Sequence, residues 1–285
     1  MNSLCNHIIP RTSQKPLLLD AFYESSDTPL PVIIFCHGYK GFKDWGAWNM
    51  MGKAFARRTE HVEVKAKFLF IKFNFSHNGG TMENPIDFPD LEAFGNNNYS
   101  QEVQDLNDVI DWVITSDLPV DTDRIYLLGH SRAGGITSIV ASRNPSVSKL
   151  VTLAGVSDYA SRFPQGEQLQ EWKEKGIFYV KNGRTGQEMP HFYQFYIDFE
   201  QNNDLLDIKK AVQKLTIPHL IIHGDADEAV SIQEAYDIKS WRPETELRII
   251  CRAGHTFGAS HPWNHDHLPA DLRQVVQCVV NFCSE

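Results

Sequence analysis

Short apolar runs alternate with amphipathic stretches along most of this chain. The run at 31–36, PVIIFC, has no polar face, which is typical of a strand covered on both sides. The stretch at 99–115 repeats apolar residues every three or four positions, which predicts a helix with one buried face. The predicted strands are 17–24, 31–36, 67–75, 125–128, 149–153, 217–223 and 246–251. The predicted helices are 45–58, 99–115, one that starts after a turn at 129–134, 205–214, 231–240 and 268–283. This alternation predicts an α/β fold with a mostly parallel, doubly wound sheet and helices on both faces.

Two stretches interrupt the alternation. Residues 76–98 are rich in Gly, Asn, Asp and Pro, which predicts a long loop of the kind that often serves function. Residues 157–203 show no clean strand pattern and are dense in aromatic residues. We interpret 157–203 as a cap inserted after the strand at 149–153, because insertions of this length at a sheet edge usually act as lids. The α/β core is then 1–156 and 204–285. The alternative is a peripheral excursion whose aromatic side chains pack a small core of their own.

Composition and charge exclude several classes of function. The chain has 285 residues, of which 42% are hydrophobic, and a net charge of −9. This balance suits a globular protein and disfavours binding to a phosphate backbone, which needs a basic face. No apolar run approaches the ~18 residues that cross a membrane, and the N-terminus lacks the apolar core of a secretory signal. The five cysteines are widely spaced and odd in number, which favours reduced thiols in a cytoplasmic protein.

The turn at 129–134, GHSRAG, carries the clearest chemical signal. It follows an apolar run and precedes Ile136 and Ile139, which have the spacing of a helix's buried side. A serine at such a strand-to-helix turn is held in a strained backbone conformation that lifts its Oγ above the sheet edge. The pattern predicts Ser131 as a nucleophile. It also predicts the N–H of Arg132, at the start of the helix, as a donor to a developing oxyanion. The alternative is a glycine-rich turn with no chemistry.

Four segments resemble the motifs of the α/β-hydrolases, in that family's order: FCHGYKGFKD, GHSRAGG, HGDADEAV and AGHTF. The four segments lie between residues 35 and 257, and the resemblance extends over roughly residues 30–283, nearly the whole chain. It is greatest to small serine esterases and peptidase-like hydrolases near the cinnamoyl and feruloyl esterases, and to dienelactone-hydrolase-like proteins. Ala133 stands where the nucleophile motif more often has glycine, and it keeps the small size that the turn needs. The resemblance implies an α/β-hydrolase fold and acyl transfer through a serine, with no metal or organic cofactor.

Such a serine needs a base within hydrogen-bond reach, and the base needs a third group that fixes its tautomer. His255 lies in a glycine turn after the last predicted strand, at the sheet edge expected for Ser131, and is the predicted base. The resemblance implies Asp227 as the third group, because the family's acid comes three residues after the glycine of HGDADEAV. Asp225 is the nearest competitor, with turn formation as its expected role. The alternative for both acids is that they cap the next helix.

A second oxyanion donor is expected from the turn after the 31–36 strand. The His-Gly-x pattern there makes the N–H of Tyr39 the best candidate. His37 and His130 lie in the same two turns, and loop hydrogen bonding is their expected role. Three histidines near the C-terminus have a spacing that suggests a metal site, but no compact set of further ligands completes it, so we predict no metal there. They are His261, His265 and His267.

We therefore expect a serine hydrolase that cleaves carboxylic esters through an acyl-enzyme. The aromatic cap, with Trp45 and Trp48 near the oxyanion turn, favours an apolar or aromatic acyl group. Two alternatives stay open: a peptidase or aminoacyl-amide hydrolase with the same three residues, and a non-catalytic ligand-binding member of the fold. The expected partner is a small-molecule ester or amide. A homodimer formed through the C-terminal helix or the cap is also left open.

Overall fold

An eight-stranded sheet runs through the computed structural model of the chain, which describes residues 1–57 and 67–284. A separate two-stranded hairpin lies outside that sheet. The strands are β1 (Asn2–Ile9), β2 (Leu17–Tyr23), β3 (Leu30–Cys36), β4 (Leu69–Asn74), β5 (Val120–His130), β6 (Val147–Leu153), β7 (Ile177–Lys181), β8 (Glu188–Phe192), β9 (His219–Gly224) and β10 (Glu246–Ile250). The helices are α1 (Trp48–Ala56), α2 (Leu91–Gly95), α3 (Tyr99–Thr115), α4 (Arg132–Ala141), α5 (Glu167–Lys175), α6 (Gln194–Asn202), α7 (Ile208–Lys214), α8 (Ile232–Trp241) and α9 (Ala270–Ser284).

The strand order of the large sheet is β1-β2-β4-β3-β5-β6-β9-β10. Strand β2 pairs antiparallel with both β1 and β4, and every pairing from β4 across to β10 is parallel. The mostly parallel sheet predicted from the sequence is therefore confirmed. Because parallel strands all end at the same edge, the segments that follow β3, β5, β6, β9 and β10 meet there.

Side chains that alternate along each strand build two cores, one on each face of the sheet. In β3, Val32 and Ile34 belong to one buried cluster, whereas Ile33 and Phe35 belong to the other. The first cluster includes buried residues of α3, α4, α7 and α8, and the second includes those of α1 and α9. Both faces of the central strands are thus covered, which explains why their sequences read as continuous apolar runs.

The segment 157–203 folds into a short 3-10 turn (Ala160–Arg162), α5, the β7–β8 hairpin and α6. The expectation that it holds no clean strand was wrong. Strands β7 and β8 are five residues each and pair only with one another, so neither alternates cleanly between apolar and polar residues as a strand with one buried face does. The segment packs on the core through stacked rings of Tyr99 and Tyr159, whose centroids are 3.8 Å apart.

Four further features differ from the predictions. The N-terminal residues form β1, an edge strand with mostly exposed side chains and a register shift between Leu4 and His7. The predicted loop at 76–98 contains the short helix α2, and the helix predicted to start at 205 starts at Ile208. The helix predicted over 45–58 begins at Trp48, and its predicted last residue lies outside the described residues.

Two observations bear on the predictions of reduced thiols and of no membrane-spanning segment. All five cysteines are free thiols. Among the described residues, no helix combines the length and apolarity needed to cross a membrane.

Candidate active site

Ser131 sits at a sharp turn between β5 and α4. Its backbone adopts φ 58° and ψ −122°, a combination that non-glycine residues rarely adopt. Three backbone hydrogen bonds hold the turn. The N–H of Ser131 donates to the Leu153 carbonyl at 2.8 Å, and the Ser131 carbonyl accepts from the N–H groups of Gly134 at 2.9 Å and Val156 at 3.2 Å. The strained serine predicted from the GHSRAG pattern is thus present, directly before the first residue of the helix.

Gly129 lets the helix come close to the end of its strand. A β-carbon at position 129 would overlap Thr137 Oγ1 and the Ala133 carbonyl, so only glycine fits between β5 and α4 here. Ala133 is itself buried, and its small side chain is accepted where related motifs more often have glycine.

His255 bridges Ser131 and Asp227. Its Nε2 lies 2.9 Å from Ser131 Oγ, and its Nδ1 lies 2.8 Å from Asp227 Oδ2. An ionised carboxylate can only accept, so Nδ1 carries the proton and donates to Asp227. The unprotonated Nε2 then accepts from the serine hydroxyl. The three side chains come from positions 96 and 28 residues apart in sequence, and they form one continuous hydrogen-bonded chain.

The Asp227 carboxylate is fixed by several donors. Its side chain has no exposed surface, and its Oδ1 accepts from the N–H groups of Ala229 at 2.8 Å and Val230 at 2.9 Å. Burial alone would raise the pKa of Asp227, but hydrogen bonds from His223, His255 and Val230 outweigh it and hold the pKa well below its usual range. The group is therefore a permanent anion at neutral pH.

Asp225 makes a different hydrogen bond from that of Asp227. It is exposed, and its Oδ1 accepts from the N–H of Arg252, a residue with φ 60°. It therefore stabilises the turn after β10, as expected of it from the sequence. Neither acid caps the following helix, because the N-cap of α8 is Ser231, whose side chain accepts from the N–H of Gln233.

The turn after β3 packs directly against the serine. A β-carbon on Gly38 would lie 2.8 Å from Ser131 Cβ, so this turn can approach the serine this closely only because residue 38 is glycine. Within residues 1–57 and 67–284, neither the N–H of Tyr39 nor the N–H of Arg132 donates a hydrogen bond. Both amides flank the serine and are available to a ligand, as an oxyanion site requires.

His37 and His130 are buried and take part in loop hydrogen bonds. His37 Nδ1 lies 2.9 Å from the Gly38 carbonyl, and His130 Nε2 lies 2.9 Å from the His255 carbonyl. Burial lowers the pKa of His37 to about 4 and that of His130 to about 3. Both rings are therefore neutral at pH 7, and they position the backbone on either side of Ser131.

Two hollows meet at Ser131 and His255. The larger, of about 490 Å³, is walled mainly by aromatic side chains, many of them from 157–203. The smaller, of about 210 Å³, is lined by Trp45 and Trp48. Both hollows are lined by Ser131 and His255. The aromatic side chains of 157–203 that line the larger hollow are Tyr159, Phe163, Trp172, Phe178 and Phe195.

Sequence reasoning missed one polar pair in the larger hollow. The Tyr39 hydroxyl lies 2.7 Å from His191 Nε2, and Trp172 Nε1 donates to the His191 carbonyl at 2.8 Å. Burial lowers the pKa of His191 to about 3, helped by the nearby cations Arg132 and Lys40. The pair ties the turn after β3 to strand β8. It joins residues 152 positions apart, and no local pattern in the sequence signals it.

The C-terminal histidines have separate surroundings. His261 Nδ1 accepts from the N–H of Gly46 at 2.9 Å, the His265 ring packs 4.6 Å from that of Trp263, and His267 contacts Asp266. Within the described part of the chain, no group of three or more His, Cys, Asp or Glu side chains is placed to hold a metal ion.

Part of the chain matches known proteins in sequence. The family model for the alpha/beta hydrolase fold matches residues 31–182. The uncharacterized peptidase YtmA of Bacillus subtilis (strain 168) is 30% identical over 159 residues, which are 55% of this chain and 54% of that protein. The match thus spans about half the length of this curated relative.

Two solved structures resemble the chain over nearly its full length. Est1E from Butyrivibrio proteoclasticus with bound ferulic acid superposes with a TM-score of 0.63 at 18% identity, covering 93% of this chain and 94% of that one. The esterase domain of a Rhodothermus marinus protein gives a TM-score of 0.62 at 16% identity, covering 99% and 96%. At these identities the likeness is one of fold.

Proposed function

Because the chain belongs to the α/β-hydrolase fold family, we propose that it is a serine hydrolase that cleaves carboxylic esters through an acyl-enzyme on Ser131. One observation carries the proposal: the unbroken chain of hydrogen bonds from Ser131 Oγ through the His255 ring to the Asp227 carboxylate. A serine, a neutral imidazole and a buried carboxylate in this order are the parts that nucleophilic acyl transfer needs.

In the first half of the reaction, Ser131 Oγ attacks the ester carbonyl carbon while its proton passes to His255 Nε2. The imidazolium that forms is stabilised by the Asp227 carboxylate, which stays ionised throughout. As the tetrahedral intermediate collapses, the bond to the leaving alkoxide breaks, and His255 returns the proton to it. The alcohol departs and the acyl group remains on Ser131.

The N–H groups of Tyr39 and Arg132 are the proposed oxyanion donors. In the tetrahedral intermediate the carbonyl oxygen becomes negative, and two fixed amides without other partners cost little reorganisation to meet it. Arg132 is also the first residue of α4, so the positive end of the helix faces the same point.

The second half of the reaction repeats the chemistry with water as the nucleophile. His255 accepts a proton from a water molecule, the hydroxide attacks the acyl carbon, and the bond to Ser131 Oγ breaks as Oγ regains a proton from His255. The carboxylic acid product leaves and the enzyme is restored. None of these steps requires a metal ion or an organic cofactor.

We assign 157–203 the role of a cap that shapes the substrate site, with 1–156 and 204–285 as the core. The segment supplies much of the wall of the larger hollow, and aromatic side chains there favour a flat apolar or aromatic group. Est1E, which resembles the chain in fold, holds ferulic acid in its solved structure. An aromatic or other apolar acyl group is therefore the proposed substrate class.

A second candidate activity is the cleavage of peptides or aminoacyl amides by the same three residues. The relation to YtmA, described as a peptidase, favours it. The two activities differ in the leaving group: an amine is a far poorer leaving group than an alkoxide and depends more on the proton from His255.

The test is a panel of p-nitrophenyl esters and aminoacyl p-nitroanilides assayed with wild type, Ser131→Ala and Ser157→Ala. Ser157 follows β6 at the same sheet edge but hydrogen-bonds Glu234 rather than a histidine. We expect esters to be the better substrates, a loss of at least about 10³-fold in Ser131→Ala, and a change within a few-fold in Ser157→Ala. Ester turnover that survives in Ser131→Ala would refute the mechanism, and anilides turned over faster than esters would favour the peptidase.

A further inference from the structure

The side chain of Arg132 enters the larger hollow and is held there between aromatic rings. Only 9% of the residue is exposed. Its guanidinium carbon lies 4.6 Å from the centre of the Tyr99 ring, 5.0 Å from that of Phe195 and 5.3 Å from that of Tyr39. Rings at these distances attract the cation and restrict it to one orientation.

The hydrogen-bonding groups of this guanidinium are only partly used. Its Nε lies 3.4 Å from Glu102 Oε2, close enough for an ion pair, but that nitrogen has no hydrogen-bond partner. Among the described residues, no hydrogen bond is donated by its two terminal nitrogens either. A buried guanidinium with free donors is costly unless a ligand completes it.

The charge of the hollow is opposite to that of the whole chain. Three basic residues, Lys40, Arg132 and Arg162, line the hollow, and none of the described residues that line it is acidic, although the net charge of the chain is −9. Glu102 and Glu234, which contact Arg132 and Arg162, lie behind the lining. The open space therefore faces cations and aromatic rings, a combination that suits an anion on an apolar body.

We propose that Arg132 is a specificity-determining residue and that the site takes esters carrying a carboxylate on their apolar or aromatic portion. This inference rests on the proposed function. A carboxylate matches the planar edge of a guanidinium with two parallel hydrogen bonds, and the terminal nitrogens of Arg132 donate none to the described residues. Arg132 thus has two separate tasks: its backbone N–H serves the oxyanion, and its side chain selects the substrate.

Paired substrates test the inference. On the acyl side, p-nitrophenyl hydrogen glutarate is compared with its neutral methyl ester, and on the leaving-group side 4-acetoxybenzoate is compared with methyl 4-acetoxybenzoate. We expect wild type to prefer the anionic member in at least one pair. The ratio of the two kcat/KM values should fall by about 10- to 100-fold in Arg132→Gln, the range for a lost charge-assisted pair, and be partly kept in Arg132→Lys. Arg248→Gln, which removes an exposed positive charge at β10, is the matched control and should leave the ratio unchanged.

Binding to the Ser131→Ala variant separates this inference from the proposed function. Calorimetry with cinnamate and cinnamamide should show tighter binding of the carboxylate, and adding Arg132→Gln should remove the difference. If wild type hydrolyses the neutral esters but Arg132→Gln leaves both substrate ratios and the cinnamate preference unchanged, the inference is wrong and the function stands. If no ester is hydrolysed but cinnamate still binds through Arg132, the proposed function fails and the anion site remains.

Discussion

Gly38 and Ser131 are in direct contact across two loops. A β-carbon on Gly38 would lie 2.8 Å from Ser131 Cβ and 3.3 Å from Ser131 Oγ, the first of which is closer than real carbon atoms approach. The turn that presents the N–H of Tyr39 can therefore reach the serine only because residue 38 has no side chain. This contact brings the proposed oxyanion donor and the proposed nucleophile close together.

Replacing Gly38 with alanine is expected to lower kcat for ester hydrolysis by about 10²-fold, because a displacement of about 1 Å at the reacting atoms costs that much. The measurement is steady-state kinetics on a short p-nitrophenyl ester, with circular dichroism to verify folding. Gly183→Ala is the matched control, since a β-carbon there would meet nothing within 4 Å. Equal activity of the two variants would show that the contact does not position the site.

Asp227 and Asp225 are expected to respond very differently to the same substitution. Asp227→Asn should lower kcat by about 10⁴-fold, because the amide no longer fixes the imidazole tautomer that accepts the serine proton. Asp225→Asn keeps an oxygen that can accept from the N–H of Arg252 and should change kcat by less than a few-fold. Both variants are assayed at pH 8 on one ester. A large loss in Asp225→Asn with little in Asp227→Asn would reverse the assignment.

The stability of the fold should fall with pH below about 6.5 because it buries neutral histidines. Burial, with nearby Arg242, lowers the pKa of His219 in β9 to about 3, so the unfolded chain takes up a proton on this ring well before the native state does. The stabilisation that the fold gains from the neutral His219 ring is therefore present above pH 6.5. It is lost at up to about 1.4 kcal/mol per pH unit as the pH falls towards 3.

The measurement is the free energy of unfolding in urea between pH 8 and pH 4.5 for wild type and His219→Gln. Below pH 6.5 we expect the free energy of unfolding to decline less steeply in the variant, with a slope smaller by the equivalent of up to one proton. Above pH 7.5, where the ring is neutral in both states, the two curves should be parallel. Identical slopes below pH 6.5 would contradict the account.

Lys72 is expected to be necessary for stability rather than activity. It is fully buried in β4, and its Nζ donates to Asp20 Oδ2 at 2.5 Å and to Asp44 Oδ1 at 2.6 Å. Lys72→Met leaves buried negative charge without this partner and should reduce the free energy of unfolding by about 3–5 kcal/mol. Urea unfolding measures the loss, and Lys72→Met combined with Asp44→Asn should recover part of it. A loss below about 1 kcal/mol would mean that Lys43 alone neutralises the cluster.

Much of the fold was predictable because its central strands and helices have strong patterns. Helix α3 has the predicted bounds, since Asn98 caps it by accepting from the N–H of Gln101 and one face is apolar. The predicted α/β-hydrolase fold is confirmed by the matching family model and the solved structures. The structure also brings Ser131, Asp227 and His255 together, because each follows a parallel strand that ends at one edge. Their catalytic roles remain predictions.

The rest could not be predicted because it depends on contacts between distant segments. Strand β1 is largely exposed, and the β7–β8 hairpin pairs only with itself, outside the large sheet, so neither has the clean apolar alternation by which strands are recognised. The pairing of Tyr39 with His191 and the aromatic surroundings of Arg132 arise only when 157–203 packs on the core. No local sequence motif indicates these long-range contacts.

The most direct test of the central claim is to trap the acyl group. The protein is mixed with a p-nitrophenyl ester, quenched in acid within milliseconds, digested and analysed by mass spectrometry. We predict an acyl adduct on Ser131 that is absent in Ser131→Ala and reduced at least about 10³-fold in its rate of formation in His255→Ala. Steady ester turnover with the acyl group on another residue, or unchanged acylation in His255→Ala, would contradict the account.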